Sequence, residues 1–321
     1  MTLKLGLSQP KLFLPPASIG TAALFIALIP ISLAPNLVKL CEIEIGANAV
    51  IFHRAWIATV IFGLLSGLET FRSQKSEDQP QEKKPFTKIE IRLLLAMGTV
   101  GATYLLLWAW ALTKTNVANV TLLSNLNSLF VGAAGFLLFG QRFDRRFLIG
   151  MFMAIVGALA FEFNGVQFQA DQLFGDVLSL LTAIFMAAYL MLLERLRSRF
   201  STATIMVWRC GVTAMLILPM LPLVEDRLFP YSWMGWFFVI FQSIFCQVFG
   251  QGLLTYSLSK LSSGVVAVTL LLEPVLASIF AWFIFSESIT WFDLATFIFI
   301  LVGIYLVQSS RFALKTTNAE L

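Results

Sequence analysis

Charge is what this 321-residue chain has least of: Asp, Glu, Lys and Arg together make up 12% of it, against 58% hydrophobic residues. A soluble domain of this length needs a charged face on nearly every element, and the composition cannot supply one. Histidine is nearly absent as well, with His53 alone in the chain, so a His-Glu-x-x-His zinc site is excluded. The three cysteines, Cys41, Cys210 and Cys246, are scattered and fit neither a metal-ligand spacing nor a disulfide framework. No Walker A segment, Gly-x-Gly-Asp or Asp-Asp-x-x-Asp motif occurs, so the sequence gives no sign of direct ATP drive or of the common membrane-embedded catalytic sites. No cofactor is implied. The net charge of +4 sits in short loops rather than on a basic face, so nucleic acid is not an expected partner.

What the chain has instead is apolar runs of about twenty residues, each long enough to cross a ~30 Å hydrocarbon core. Its mean hydropathy is +0.84. The expected class is an all-α membrane protein with the lipid bilayer as its surroundings. Ten spans can be drawn, at roughly 18–38, 48–68, 91–112, 118–139, 146–163, 173–193, 204–224, 232–257, 265–285 and 291–309. The first is too long for a signal-peptide core and reads as a retained span. Residues 1–17 and 310–321 flank the spans, and the one long connection, 69–90, is charged, contains two prolines and reads as a flexible solvated loop.

Seventeen Lys and Arg residues fall in the terminal segments and even-numbered loops, and only Lys39, Lys114 and Arg227 in the odd-numbered ones. The positive-inside rule then puts both termini and the 69–90 loop in the cytoplasm of a cell inner (plasma) membrane protein. The remaining two basic residues, Arg54 and Arg209, lie inside spans 2 and 7.

Those two arginines expose an internal repeat. A shift of 155 positions superposes Gly20 on Gly175, Leu37 on Leu192 and Arg54 on Arg209; a shift of 146 superposes Lys114 on Lys260, Val120 on Val266, Phe139 on Phe285 and Gly157 on Gly303. The halves are then 18–163 and 173–309. Five spans is an odd number, so the halves cross the bilayer in opposite senses, the sequence signature of an alternating-access transporter with one central cavity.

Ionisable groups inside spans are costly and are functional candidates by default. Helical rise places Arg54 ~9 Å below the outer surface and Arg209 ~8 Å above the inner one. Two readings fit: snorkelling to the nearby interface, or a symmetry-related pair facing the bundle as substrate anchors or gate partners. Glu273 lies ~12 Å into span 9, too deep to snorkel. Pro274 beside it removes a backbone bond to the Leu270 carbonyl, which predicts a kinked or broken helix. A carboxylate next to a freed carbonyl suits a cation, proton or amine; a protonated glutamic acid bridging helices is the other reading.

In the first half, Asn127 corresponds to Glu273 and falls in the polar stripe Thr121, Ser124, Asn127, Ser128. Ser243, Gln247 and Gln251 form a stripe in span 8, Ser179, Thr182 and Tyr189 one in span 6, and Tyr104 and Trp108 one in span 3. Each stripe is placed to line the cavity or to bond between helices, and the aromatics equally suit packing. His53, next to Arg54, reads as structural rather than as a proton relay.

The stretch 257–289, SLSKLSSGVVAVTLLLEPVLASIFAWFIFSESI, with Glu273, Pro274 and Glu287, resembles the second-repeat signature of the EamA-like family of the drug/metabolite transporter superfamily. ALTKTNVANVTLLSNLNSLFVGAAGFLLFGQRF (111–143) resembles its first-repeat copy. The resemblance covers about residues 18–308. It implies ten helices around a cavity, cytoplasmic termini, export or exchange of amino acids and related small molecules, and peripheral spans 5 and 10 through which such proteins often pair as homodimers. The chain departs from the family in span 1, which has LIPISLAP in place of a Trp-Gly-Ser, and at Ser128 and Gln141, which replace a Pro and a Glu. A membrane-embedded enzyme and a channel or lipid scramblase are the rival classes.

The basic asymmetry generates a direct test of topology. Reporter fusions after Lys84, Arg197 and Lys315 are expected to report cytoplasm, and one after residue 170 the opposite side. A cytoplasmic signal at 170 overturns the inverted arrangement.

Overall fold

In hydrocarbon, every backbone N–H and C=O needs a partner within the protein, and a helix satisfies them within one segment. The computed structural model describes residues 16–75, 86–112, 114–115, 117–140, 143–163, 172–225, 227–285 and 290–310, and no strand appears among them. The helices are α1 (Pro16–Cys41), α2 (Ala47–Lys75), α3 (Lys88–Leu112), α4 (Val117–Ser124), α5 (Asn127–Phe139), α6 (Arg145–Phe163), α7 (Leu173–Arg197), α8 (Thr202–Ile217), α9 (Leu221–Val224), α10 (Trp233–Gln242), α11 (Gln251–Ser257), α12 (Ser263–Thr269), α13 (Glu273–Phe285) and α14 (Trp291–Gln308). A π-helical stretch, Ser243–Gly250, joins α10 to α11, and a 3-10 turn, Leu270–Leu272, joins α12 to α13.

Seven helical segments among the described residues are long and apolar enough to cross a membrane: Ser18–Cys41, Ala47–Glu69, Lys88–Ala111, Leu173–Arg197, Trp233–Ser257, Ser263–Ile284 and Trp291–Gln308. The other three expected spans fall on α4 with α5, on α6, and on α8 with α9. Two of them fall short of that measure for visible reasons: the first is interrupted, and α8 stops at Ile217. The expected 69–90 loop is shorter than drawn. α2 runs on to Lys75, and α3 is entered through a reciprocal cap in which Thr87 N donates to Glu90 Oε2 at 2.9 Å and Glu90 N donates to Thr87 Oγ1 at 3.3 Å. Residues 76–85 lie outside the described residues, as do 1–15, Gln141, Glu287 and the tail from 311.

Both interrupted helices have a local cause. Ahead of Glu273 and Pro274, the ring nitrogen cannot donate back, and the chain tightens to the 3-10 turn. The α4–α5 break has no proline. There the Asn127 Nδ2 donates to the Ser124 carbonyl at 3.0 Å and the Ser128 hydroxyl to the Asn125 carbonyl at 3.2 Å, so side chains take over acceptors that a continuous helix would use. Pro30 and Pro35 by contrast sit within an unbroken α1.

α2 packs on α8, α3 on α7 and α8, and α6 on α14; α1 runs along α10, the π stretch, α11 and α13, while α7 runs along α4 and α5 as well as α3. Lipid-facing association lacks a hydrophobic drive, so close approach depends on small residues. The α6–α14 seam is the tightest case. A Cβ on Gly303 would lie 2.5 Å from the Ala154 nitrogen and 2.7 Å from the Gly150 carbonyl oxygen, and one on Gly150 would lie 2.6 Å from the Gly303 oxygen. Gly303→Val is therefore expected to force the two backbones apart at an over-packing cost of about 1–3 kcal/mol, read as a lower melting temperature in detergent. Gly67→Ala, whose Cβ meets nothing within 4 Å, is the control that should leave it unchanged; equal melting of both variants refutes the seam.

Candidate functional site

Arg54 on α2 and Arg209 on α8 come to the same place. They line one space of about 280 Å3, its mouth included, together with Ile51, Ala55, Leu105, Cys210, Thr213 and Gln247. α2 and α8 lie against each other along their length, which is what brings two arginines from different halves of the chain together. Neither guanidinium has a carboxylate within ion-pair distance among the described residues. Arg54 Nη2 donates to Gln247 Oε1 at 2.9 Å, its one side-chain hydrogen bond there.

Arg209, only 2% exposed, is held more fully. Its Nη1 donates to Gln251 Oε1 at 3.3 Å and its Nη2 to the Tyr104 hydroxyl at 3.0 Å. Its guanidinium carbon also lies 4.9 Å from the centre of the Tyr189 ring, which packs against Tyr104 at 5.5 Å. The aromatic face attracts the cation, and the amide and hydroxyl satisfy its fork.

The π stretch explains how two glutamines four residues apart serve two arginines. A four-residue step advances ~40° round an ordinary α-helix; the wider π turn alters that drift, and π segments recur at functional sites. Gln247 lies within the stretch and Gln251 opens α11. Gln247 also donates from Nε2 to Cys210 Sγ at 3.4 Å, which fixes its amide so that the oxygen faces Arg54.

Glu273 stands apart from this lining. It is half-buried at the start of α13, makes no hydrogen bond or ion pair among the described residues, and lies within electrostatic reach of Arg54. The other sequence candidates are placed elsewhere. Trp108 packs in the apolar clusters around Val50, Ala109 and Val120. Ser124 and Asn127 sit at the α4–α5 break, where the Ser124 hydroxyl and the Asn127 Oδ1 are buried without a partner. Ser179 and Thr182 bond back to their own helix, at 2.9 Å each.

Sequence reasoning missed Thr213, Cys210, Leu105, Ile51 and Ala55. Thr213 and Cys210 were findable, being one turn and one residue beyond Arg209 on the same helix.

His53 is 1% exposed and fully committed. Trp56 Nε1 donates to its Nδ1 at 2.9 Å, which leaves Nε2 as the protonated nitrogen, donating to the Leu228 carbonyl at 2.8 Å. It ties α2 to the 225–232 connection. Two acids secure the same end of the bundle. Glu225 Oε1 accepts from the Asn48 amide and side chain at 3.0 and 2.7 Å, at the first turn of α2. Glu44 accepts from the Ser232 hydroxyl and from the amides of Ser232 and Tyr231, and these bonds, the hydroxyl's first, hold its carboxyl below the usual carboxylate range.

The EamA-like transporter family model matches residues 18–162 and again 173–309, nearly the whole chain. The chain belongs to the EamA-like transporter family. Among its relatives, the pseudopaline exporter CntI of Pseudomonas aeruginosa is 24% identical over 272 residues, covering 84% of this chain and 88% of that one. An uncharacterized transporter of Archaeoglobus fulgidus is 25% identical over 223 residues, covering 68% and 76%. A solved crystal structure with 17% identity superposes with a TM-score of 0.71 over 91% of this chain and 97% of the other, which speaks to the fold alone. This EamA-like protein is thus a multi-pass membrane protein of a transporter family, and not an enzyme.

The geometry of the arginines makes lysine a discriminating replacement, since it keeps the charge and loses the planar fork. Arg54→Lys and Arg209→Lys are expected to reach the membrane at normal levels and to lower transport, with Arg209→Lys the more impaired because three partners hold its fork. Normal uptake by both variants returns the arginines to a merely structural role.

Proposed function

We propose that the chain is a secondary transporter, an exporter or exchanger, of small metabolites such as amino acids, working by alternating access around the cavity that Arg54 and Arg209 share. The observation that carries this reading is the convergence of two intramembrane arginines, from helices matched by the internal repeat, on one enclosed space. In this reading ten spans form two inverted five-helix repeats in the inner membrane, with both termini cytoplasmic.

Helix boundaries support the repeat. The starts of α2 and α8, Ala47 and Thr202, are related by the 155-residue shift; those of α4 and α12, Val117 and Ser263, and of α5 and α13, Asn127 and Glu273, by the 146-residue shift. Packing supports it too. Exchanging the halves turns the α3–α7 contact into that of α10–α11 with α1, and turns α7 against α5 into α1 against α13. The contacts of α2 with α8 and of α6 with α14 map onto themselves.

Two broken helices, one in each half, provide the irregular backbone that midplane sites in transporters are built from. The resemblance to an exporter over most of both chains supports outward movement of a small molecule.

Glu273 is the proposed coupling group. A carboxyl beside a helix break can alternate between a neutral form and a charged form paired with a proton, a cation or a substrate amine. The test is transport in proteoliposomes. Saturable counterflow, in which substrate on the far side accelerates uptake, is expected of a carrier; flux without such acceleration would mean a channel. Glu273→Gln keeps shape and hydrogen bonding and removes the charge for good. It is expected to fold and to lose active transport or its pH dependence; full uptake with an unchanged pH profile would reduce Glu273 to a structural role.

A further inference from the structure

The shared cavity has a charge that its own walls do not balance. Arg54 and Arg209 both line it, and the atoms that hold their guanidinium groups among the described residues are neutral: amide oxygens of Gln247 and Gln251, the Tyr104 hydroxyl and the Tyr189 ring. The two arginines lie within electrostatic reach of each other, so their like charges repel in a medium of low dielectric. Glu273 is a carboxyl within electrostatic reach of Arg54, and it forms no ion pair with it. With Glu273 charged, these three groups still carry one net positive charge; with Glu273 neutral, they carry two.

Holding two unpaired cations in a buried space is costly, and that cost falls when an anion enters. The free donors point the same way. Among the described residues Arg54 uses one of its five N–H groups on protein, whereas the partners of Arg209 hold its plane fixed. A preset guanidinium fork next to a less committed one is a receptor for an oxyanion, because planar N–H pairs match carboxylate and phosphate oxygens.

The space is narrow, so the group that enters between the arginines is small. The remaining lining, Ile51, Ala55, Leu105 and Cys210, offers an apolar wall for a short aliphatic part.

We infer that the transported molecule is a small organic oxyanion, a carboxylate or a phosphate ester, whose anionic group binds between Arg54 and Arg209. This rests on the transporter reading above and adds the substrate class to it. Amines that carry no anionic group and neutral amides of the same length are excluded by the surplus positive charge.

The test is ligand-dependent melting of the full-length protein in detergent at constant ionic strength. The probes are succinate, glycerol phosphate, succinamide and putrescine. Succinate or glycerol phosphate is expected to raise the melting temperature saturably, and the stronger of the two identifies carboxylate or phosphate as the recognised group. Succinamide and putrescine are expected to do nothing.

Arg54→Gln and Arg209→Gln are each expected to weaken the effective oxyanion by about 10–100-fold, the range for losing a hydrogen bond to a charged group. Stabilisation by putrescine or succinamide equal to that by the oxyanions overturns the inference, as does unchanged affinity in both Gln variants, or no response to either oxyanion. Should the Gln variants fail to fold, the four-ligand comparison on the unaltered protein decides alone. Counterflow of an amine or a neutral solute, without any oxyanion effect, would overturn this substrate class and leave the carrier standing. Oxyanion stabilisation without counterflow of any solute would overturn the carrier instead.

Discussion

A guanidinium inside a bilayer has to be satisfied by the protein or it will not stay there, and much of the middle of this molecule is arranged to meet that demand twice. Arg209 takes a tyrosine hydroxyl from α3, a tyrosine ring from α7 and a glutamine from α11; Arg54 takes a glutamine from the π stretch. These partners come from three helices, α3, α7 and α11, and from the π stretch. The π stretch is the clearest consequence. A turn of unusual width is retained in an otherwise regular span, where it presents Gln247 to one arginine and leaves Gln251 for the other. The choice of neutral partners over acids keeps the charge available to whatever enters the space, whereas a buried ion pair would have cancelled it.

Around that centre the fold follows two further rules of the bilayer. Broken backbone is confined to places where side chains or a tightened turn take up the freed groups, as at Asn127 and Ser128 in one half and at Leu270–Leu272 in the other. Several polar side chains that do not serve the arginines bond to their own helix, as Ser179 and Thr182 do, and others tie loops to helix ends, as Glu44, Glu225 and His53 do. The end of the bundle bearing the 225–232 connection is thereby stitched together with some care, with both acids accepting from backbone amides.

Membrane class and helical character were legible in the sequence because they depend on composition and run length, which are local properties. The pairing of Arg54 with Arg209 was half legible. A register shift marked them as equivalent, yet helical rise alone set them near opposite surfaces and left snorkelling open. Only the packing of α2 on α8 brings both to one space. Gln247 and Gln251 were found as a stripe, but which arginine each serves depends on a π turn that no periodicity announced. Trp108 illustrates the opposite failure: a one-turn spacing from Tyr104 is real, but the indole turns into apolar neighbours. The break before Asn127 was invisible for a different reason. It lacks the proline that flags its counterpart, and its cause lies in the reach of two short side chains.

The contact of α6 with α14 bears on how such a molecule moves. At Gly150 and Gly303 no side chain stands between the backbones, so there is no layer of rotamers to shear and no space to compress. α6 and α14 are keyed directly to each other, glycine against glycine. A seam of that kind locks the register of α6 against α14, because sliding either helix would drive a side chain into the other's backbone.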